Sequence, residues 1–346
     1  MTTLLVHAPA WEHTKQGHPE SHLRMLQLMP TLEEYGVLAD LTAVSNPQPA
    51  SRKQISYAHT PALIDHIKRT SAQGGGLLDY GDTYATAQSY NLARLAAGSC
   101  CDLVSQIVTG KAQNGIALVR PPGHHAEAAT LSGFCLLNSV AIAARHAQHK
   151  HGLKKVAIVD FDVHHGNGTQ DIFYDDPSVL FLSTHLYLPR MFYPGTGSAD
   201  EIGKGNGRGY TVNVPFGPHV GDMGYKRVFA ELIAPKLAAF QPELLIVSAG
   251  YDAHWQDPLA WAGLSLTGYG RLVQMLVQMA QDVCNGRLLV VLEGGYHHEA
   301  LTFGVLNTVY ALLGQDQIED PIGPMPEQEQ DVSQLLSFLQ QRHLRN

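Results

Sequence analysis

The order of segments along this chain predicts an α/β fold, with a parallel sheet covered by helices on both faces. Strand-like and helix-like stretches alternate through most of the 346 residues. The strand candidates are continuous apolar runs, as expected for strands that are buried on both faces. We find no internal repeat and no linker that splits the chain. The pattern leaves open whether the sheet is doubly wound or closed into a barrel.

Apolar runs define the predicted strands, which span residues 4–7, 115–119, 156–159, 179–183, 210–214, 244–248 and 288–292. The predicted helices span residues 19–35, 61–71, 87–109, 137–150, 168–174, 221–240, 267–283, 299–313 and 332–344. Gly36, Gly110 and Gly152 end three of these helices, as is typical of glycine. Residues 74–76 are three glycines and predict a loop. The Pro- and Gly-rich stretch 187–209 predicts a second loop, long enough to be functional.

The composition argues against several functional classes. The net charge is −8, and there is no block of Lys or Arg, so we expect no direct nucleic-acid or membrane partner. No apolar run reaches the length of a membrane span, and the first residues do not read as a secretory signal. The four cysteines form neither a disulfide framework nor a zinc-ribbon spacing. We therefore expect a cytoplasmic protein with reduced thiols.

The most informative stretch is residues 156–169, which reads VAIVDFDVHHGNGT. In an extended chain alternate side chains point the same way, so Asp160, Asp162 and His164 would share one side. The stretch contains no Lys or Arg, and buried carboxylates need a partner. A mixed Asp and His set suits zinc or a similar divalent ion. The alternative is an ordinary turn with polar groups in solvent.

Polar clusters follow four of the predicted strands. The first cluster, after strand 115–119, is His124 and His125, and the second, after strand 156–159, is Asp160, Asp162, His164 and His165. Asp252 follows strand 244–248, and Glu293 and Tyr296 follow strand 288–292. Because ligands bind beyond the carboxyl ends of the strands in α/β sheets, we expect these clusters to converge in one crevice. There, Asp162, His164 and Asp252 would bind one metal ion. Three protein ligands with an open position are typical of a catalytic metal site.

The remaining polar groups suggest the chemistry at such a site. His124 and His125 would handle protons, because both cannot be metal ligands in this scheme. Tyr296 offers a neutral O–H donor for a carbonyl oxygen that becomes negative. Taken singly, the histidine pair is also compatible with a solvated turn, and the tyrosine with simple packing. The set as a whole favours the catalytic interpretation.

Six ordered motifs resemble those of the zinc-dependent histone deacetylases. They are RPPGHHA at 120–126, GFC at 133–135, DFDVHHGNGT at 160–169, PGTG at 194–197, SAGYDA at 248–253 and EGGY at 293–296. The first and third resemble the class II branch and its bacterial relatives, including acetylpolyamine amidohydrolases. The resemblance implies a single arginase/deacetylase-type domain over residues 1–346, with a central parallel sheet of eight strands. Its core would cover about 4–313, followed by a polar segment and helix over 315–346.

The resemblance also implies roles for the catalytic residues. His125 matches the general base that takes a proton from the attacking water, and His124 matches the neighbour that assists the departing amine. Asp160 matches the carboxylate that orients His124, and Tyr296 matches the phenol that stabilises the oxyanion. The ligands of one zinc ion per chain match Asp162, His164 and Asp252. A potassium ion is expected beside the zinc, bound by Asp160, Asp162, His164 and Ser183.

Further positions match the substrate-binding residues of the family, namely Gly133, Phe134, Tyr193, Asp82, Leu259 and Arg24. Phe134 and Tyr193 would form the walls of a tunnel that grips an alkyl chain, and many members have Phe in place of this Tyr. Asp82 would accept hydrogen bonds from substrate backbone amides at the rim. Arg24 would lie near the exit path for acetate. Asn167 stands where class I enzymes have an aspartate, and a neutral partner stabilises a protonated His125 less than a carboxylate would.

The resulting hypothesis is a zinc-dependent amidohydrolase that removes acetyl, or another short acyl group, from acyl-lysine side chains. An acetylpolyamine deacetylase is the alternative, although a charged polyamine would favour an acidic group at the tunnel mouth and Leu259 is neutral. A binuclear manganese ureohydrolase would need an acid where Gly166 stands. A silenced acyl-lysine-binding module would be expected to lack Tyr296 or a ligand. The oligomeric state is left open.

Overall fold

The computed structural model describes residues 2–344 and contains one large sheet and one small hairpin. The strands are β1 (Thr3–Ala8), β2 (Leu41–Ala43), β3 (Gly75–Leu77), β4 (Tyr84–Thr86), β5 (Asn114–Val119), β6 (Val156–Asp160), β7 (Val179–Leu186), β8 (Thr211–Phe216), β9 (Leu244–Ala249) and β10 (Leu288–Leu292). Eight of them form a sheet in the order β2-β1-β5-β10-β9-β6-β7-β8, and every neighbouring pair is parallel. The predicted eight-stranded parallel α/β fold is confirmed.

Helices cover both faces of this sheet. They are α1 (Leu28–Glu34), α2 (Arg52–Ile55), α3 (Pro61–Ala72), α4 (Ser89–Val108), α5 (Ser139–His151), α6 (Asn167–Phe173), α7 (Asp222–Val228), α8 (Ala234–Phe240), α9 (Leu266–Cys284), α10 (His298–Leu312) and α11 (Ser333–His343). Alternate residues of β6 enter different hydrophobic clusters: Val156 and Ile158 pack with α4 and α5, whereas Ala157 and Val159 pack with α9 and α10. All four are fully buried, which explains the unbroken apolar runs.

Two predicted helices are interrupted, and a proline accounts for each interruption. Residues 19–35 form a 3-10 turn, His22–Met25, followed by α1. A continuous α-helix would need an N–H from Pro30 to the carbonyl of residue 26, and proline has none. Residues 222–240 are helical throughout, but a π-helical segment, Phe229–Ile233, joins α7 to α8. Pro235 lies two residues after the end of that segment and likewise lacks the N–H that would donate to the carbonyl of residue 231.

Three short strands are absent from the sequence prediction. The three glycines predicted as a loop partly belong to β3, since Gly75 and Gly76 pair antiparallel with β4. The edge strand β2 contains three residues and is largely exposed, so it lacks an apolar signature.

Residues 315–330 have no helix or strand, and α11 after them packs Leu336 and Leu339 into the same hydrophobic cluster as the central strands.

The strand order brings the polar segments together. Strands β5, β10, β9 and β6 are consecutive neighbours in the sheet, and all run in the same direction. Their carboxyl ends therefore lie side by side at one edge, and the chain that follows each strand contributes to one site.

Within residues 2–344, no helix combines the length and the apolar character that a membrane span requires.

Candidate metal centre and active site

Two carboxylates and one imidazole meet beyond the ends of β6 and β9. His164 Nδ1 lies 3.2 Å from Asp162 Oδ1 and 3.2 Å from Asp252 Oδ2. Backbone amides fix both carboxylates: Gly294 N–H donates to Asp162 over 2.8 Å, and Val163 N–H donates to Asp252 over 2.9 Å. Each of the three side chains thus presents one donor atom within 4.8 Å of the other two.

This arrangement fits a divalent cation. Two buried carboxylates face each other with a single imidazole, and the donor types are those that zinc takes in proteins. Burial disfavours a charge on His164, yet Asp162 and Asp252 outweigh it and raise the pKa of His164 to about 10, so the pocket strongly favours positive charge. Any side chain at Gly294 would overlap both carboxylates, so glycine keeps this space open.

The two adjacent histidines have different partners. His124 Nδ1 lies 3.0 Å from Asp160 Oδ2, and its Nε2 lies 3.8 Å from Asp162 Oδ2. Burial opposes protonation of His124, but Asp162 and Asp160 outweigh it and raise its pKa to about 10. His124 therefore holds a proton firmly.

His125 instead faces a neutral amide. Its Nδ1 lies 2.7 Å from Asn167 Oδ1, while Asn167 Nδ2 donates to Glu127 Oε1 over 2.9 Å. Because Glu127 accepts from the amide nitrogen, Asn167 presents its oxygen, and His125 must donate from Nδ1. Burial, followed by the neighbouring His124 and His164, lowers the pKa of His125 well below its ordinary value. Its Nε2 is then free to accept a proton. Glu127 was not predicted from the sequence, because it lies outside the six motifs.

Tyr296 lies at the turn after β10. Burial raises the pKa of its phenol well above the ordinary value, so the group is a neutral donor. Arg24 holds this turn from behind: its Nε donates to the Gly295 carbonyl over 2.7 Å and its Nη2 to the Glu293 carbonyl over 2.6 Å. The guanidinium carbon lies 4.9 Å from the centre of the Tyr296 ring.

A cavity of about 390 Å³ leads from the surface to these groups. Of the predicted residues, its lining contains His124, His125, Asp162, His164, Tyr296, Asp82, Gly133, Phe134, Tyr193 and Leu259. It also contains Phe192, Met191 and Trp261, which sequence reasoning missed. The Phe192 ring stacks on His164, with ring centres 4.9 Å apart and 7° between the planes. Only its place in the long loop 187–209 could have pointed to it.

The other predicted residues lie outside the lining of the cavity. Asp252 reaches the metal group from behind, Asp160 and Asn167 contact the two histidines, and Arg24 is buried under the tyrosine turn. Ser183 is buried next to Asp160 on the neighbouring strand, and its hydroxyl lies 2.9 Å from His185 Nδ1. The catalytic, ligand and potassium roles of these side chains stay predictions.

Comparison with known proteins identifies the family. The histone deacetylase domain matches residues 18–312 of this chain. The chain belongs to the histone deacetylase family. The resemblance predicted from the six motifs is thus confirmed. Zinc dependence is typical of this family, and the Asp162, His164 and Asp252 group agrees with it.

Individual members show how far the similarity extends. Histone deacetylase 15 of Arabidopsis thaliana is 42% identical over 327 residues, which are 93% of this chain and 58% of the plant protein. The human protein named polyamine deacetylase HDAC10 is 41% identical over 284 residues, 80% of this chain and 41% of that protein. A crystal structure of the HDA15 HD domain matches this chain with a TM-score of 0.90 at 39% sequence identity. The match covers 99% of this chain and 96% of that domain. The chain therefore spans about half the length of these two curated relatives and nearly all of the solved domain.

Proposed function

We propose that this chain is a zinc-dependent amidohydrolase that removes acetyl, or another short acyl group, from acyl-lysine side chains. The main support is one observation: Asp162, His164, the paired histidines and Tyr296 all line one cavity, and Asp252 completes the metal group from outside the lining. One zinc ion per chain would be held by Asp162, His164 and Asp252. When bound, zinc supplies a Lewis acid that polarises a carbonyl and makes water a good nucleophile at neutral pH.

The two histidines divide the proton transfers between them. His125 Nε2 would accept the proton of the attacking water, because its Nδ1 is committed to Asn167. His124 holds its proton against Asp160 and would stabilise, and finally protonate, the departing amine. The lysine amine is a poor leaving group unless its nitrogen is protonated. Proton transfer from His124 to the amine therefore matters as much as proton transfer from water to His125.

Tyr296 would stabilise the negative charge that develops on the carbonyl oxygen. A buried phenol with a raised pKa keeps its proton and can donate a hydrogen bond to an oxyanion. The Phe134 ring lies edge-on to Tyr296, with ring centres 6.0 Å apart, and restricts the space between the phenol and the tunnel wall.

The cavity fits a slender apolar chain that ends in an amide. Phe134, Phe192 and Tyr193 provide aromatic surface, and Leu259 adds a neutral group. Such walls suit the methylene groups of lysine. The acetylpolyamine alternative is supported by the name of the human relative and by Asp82 in the lining. We favour acyl-lysine, because the other groups near the mouth, Met191 and Trp261, carry no charge.

The proposal has further parts that rest on the family resemblance. A potassium ion would bind beside the zinc, through Asp160, Asp162, His164 and Ser183. A cytoplasmic location also stays a prediction.

A parallel screen tests the proposed function. Purified protein is incubated with an acetyl-lysine peptide, with a longer-acyl peptide and with acetylated polyamines, each with and without a chelator. We expect release of acetate from the acetyl-lysine peptide, lost on chelation. Faster turnover of the polyamines by tenfold or more would favour the alternative substrate. Binding without hydrolysis of any compound would contradict an enzymatic role.

A further inference from the structure

Asp257 is a buried carboxylate that belongs neither to the metal group nor to the histidine pair. It lies in the loop after β9 and is 4% exposed. Among the described residues no Lys or Arg forms an ion pair with it; instead, its oxygens accept backbone amides. Burial, followed by the charge of Asp252, raises the pKa of Asp257 to about 7. Burying a carboxylate costs free energy unless hydrogen bonds compensate for its lost hydration.

The amides bound by Asp257 come from two parts of the active site. Oδ2 accepts from Tyr296 N–H over 2.7 Å and from His297 N–H over 3.0 Å. Oδ1 accepts from Leu259 N–H over 3.0 Å. One carboxylate therefore joins the backbone of the residue that carries the phenol to the backbone of a residue at the tunnel mouth.

The turn that carries Tyr296 is thus held from two sides. Arg24 binds the carbonyls of Glu293 and Gly295 on one side, and Asp257 binds the amides of Tyr296 and His297 on the other. Gly295 between them has a φ of +118°, a conformation that side-chain-bearing residues rarely adopt, so this turn depends on glycine.

The loop that contains Asp257 has its own backbone ties. Trp255 N–H donates to the Leu264 carbonyl over 3.1 Å, and Asp257 N–H donates to the His254 carbonyl over 2.9 Å. These bonds fix the loop without the Asp257 side chain. The carboxylate is therefore directed at the tyrosine turn and the tunnel mouth, in addition to its own loop.

We propose that Asp257 is a positioning residue for Tyr296: it fixes the backbone from which the phenol reaches the reacting carbonyl. This inference rests on the proposed deacetylase function. Because the effect acts through Tyr296, it belongs to the chemical step and not to metal binding or substrate capture. A displacement of about 1 Å at a reacting group costs roughly a hundredfold in rate.

The test compares D257N and D257A with the control D222N. The change to asparagine is isosteric and keeps one acceptor oxygen, whereas the change to alanine keeps none. Asp222 is a matched control, because its partly buried carboxylate also accepts a backbone amide, but from Ser265 over 2.8 Å. For each variant, kcat and KM on an acetyl-lysine peptide, bound zinc and the thermal midpoint are measured.

We expect D257N to lower kcat about tenfold or more, with KM within threefold and zinc at the wild-type level. D257A should lower kcat further, and D222N should keep kcat within twofold of the wild type. A D257N enzyme with wild-type kcat, or with only KM or zinc changed, overturns the inference. So does a D257N protein that fails to fold, which would assign Asp257 a purely structural role. An inactive wild type would instead overturn the proposed function, so the two failures are distinguishable.

Discussion

His124 and His125 are neighbours in sequence, yet the structure gives them chemically different partners. The carboxylate of Asp160 faces the first, and the amide of Asn167 faces the second. The identity of both partners was predictable from the sequence, because they lie in one motif with Asp162 and His164. Their orientation was not predictable, since it depends on Glu127, which lies in a different segment and fixes the Asn167 amide.

Replacing Asn167 by Asp should move the acid limb of the pH–rate profile to higher pH. A carboxylate at 2.7 Å from His125 stabilises the protonated imidazole and so raises the pKa of His125. His125 acts as a base only when it is neutral, so the variant should lose activity at a higher pH than the wild type does. The measurement is kcat/KM against pH on an acetyl-lysine peptide. An unmoved limb would reject Asn167 as the partner that sets this pKa.

Replacing Tyr296 by Phe should remove most turnover without removing the metal. Loss of one donor to an oxyanion lowers kcat by about a hundred- to a thousandfold. Zinc content should not change, because Tyr296 is not part of the metal group. Measuring kcat together with bound zinc checks both statements.

Tyr193→Phe is the matched control. The Tyr193 hydroxyl donates to Ser132 over 2.7 Å at the tunnel wall. We expect activity within a small factor of the wild type. An equal loss of kcat in the two variants would contradict a specific role for the Tyr296 hydroxyl in the reaction.

At the scale of elements, the long buried strands were predictable and the short exposed ones were not. The strand β6 is apolar on both faces because helices cover both faces. In contrast, β2 and β3 have three residues each and are held by pairing, not by burial. The prolines that interrupt two helices were visible in the sequence, but a π-helical segment depends on how the flanking turns pack. Phe192 and Asp257 lie in loops, whose conformation follows from tertiary contacts.

One helix start supports the site directly, so the α5 cap gives a test at this scale. Asn138 Oδ1 accepts from Ala141 N–H over 2.9 Å, and its Nδ2 donates to Thr169 Oγ1 over 3.0 Å and to the Ala126 carbonyl over 3.3 Å. Asn138→Ala should lower the free energy of unfolding by about 2–4 kcal/mol, because it removes a cap and leaves buried groups without partners.

The control for this helix start is Thr60→Ala. Thr60 caps α3 by accepting from Leu63 N–H, in a half-buried place away from the site. We expect a loss of about 1 kcal/mol. Denaturant unfolding of both variants provides the measurement. Equal losses would mean that the additional contacts of Asn138 contribute nothing.

At the scale of the molecule, a buried ionic network joins the first thirty residues to the sheet. Arg120 Nη2 donates to Glu20 Oε2 over 2.8 Å, and Arg24 Nη1 lies 3.2 Å from Glu20 Oε1. All three side chains are fully buried. In the sequence, Arg120 lies in a motif and Arg24 matches a family position, but nothing indicates that Glu20 is their common partner.

This network should make stability depend on pH. Burial alone would raise the pKa of Glu20, but Arg120 outweighs it and lowers the pKa from 4.5 to about 2. The stabilisation is therefore complete above pH 4.5 and is lost as the pH falls towards 2, in total about 3 kcal/mol. Glu20→Gln should lower the free energy of unfolding at pH 7 by about 3–5 kcal/mol and should flatten this part of the pH dependence.

The exposed pair of Arg52 with Asp65 serves as the control for Glu20. Both side chains are more than two-fifths exposed, so solvent screens their attraction. Asp65→Asn should leave the thermal midpoint unchanged at pH 7. If both variants behave alike, the buried network has no larger role than a surface pair.

The most direct test of a single catalytic zinc is a zinc titration of metal-stripped protein, with hydrolysis of an acetyl-lysine peptide as the readout. We expect stripping to abolish hydrolysis and activity to return in proportion to added zinc, reaching its maximum at one ion per chain. Full activity in the stripped protein, or a maximum that requires two ions per chain, would contradict a single catalytic zinc at Asp162, His164 and Asp252.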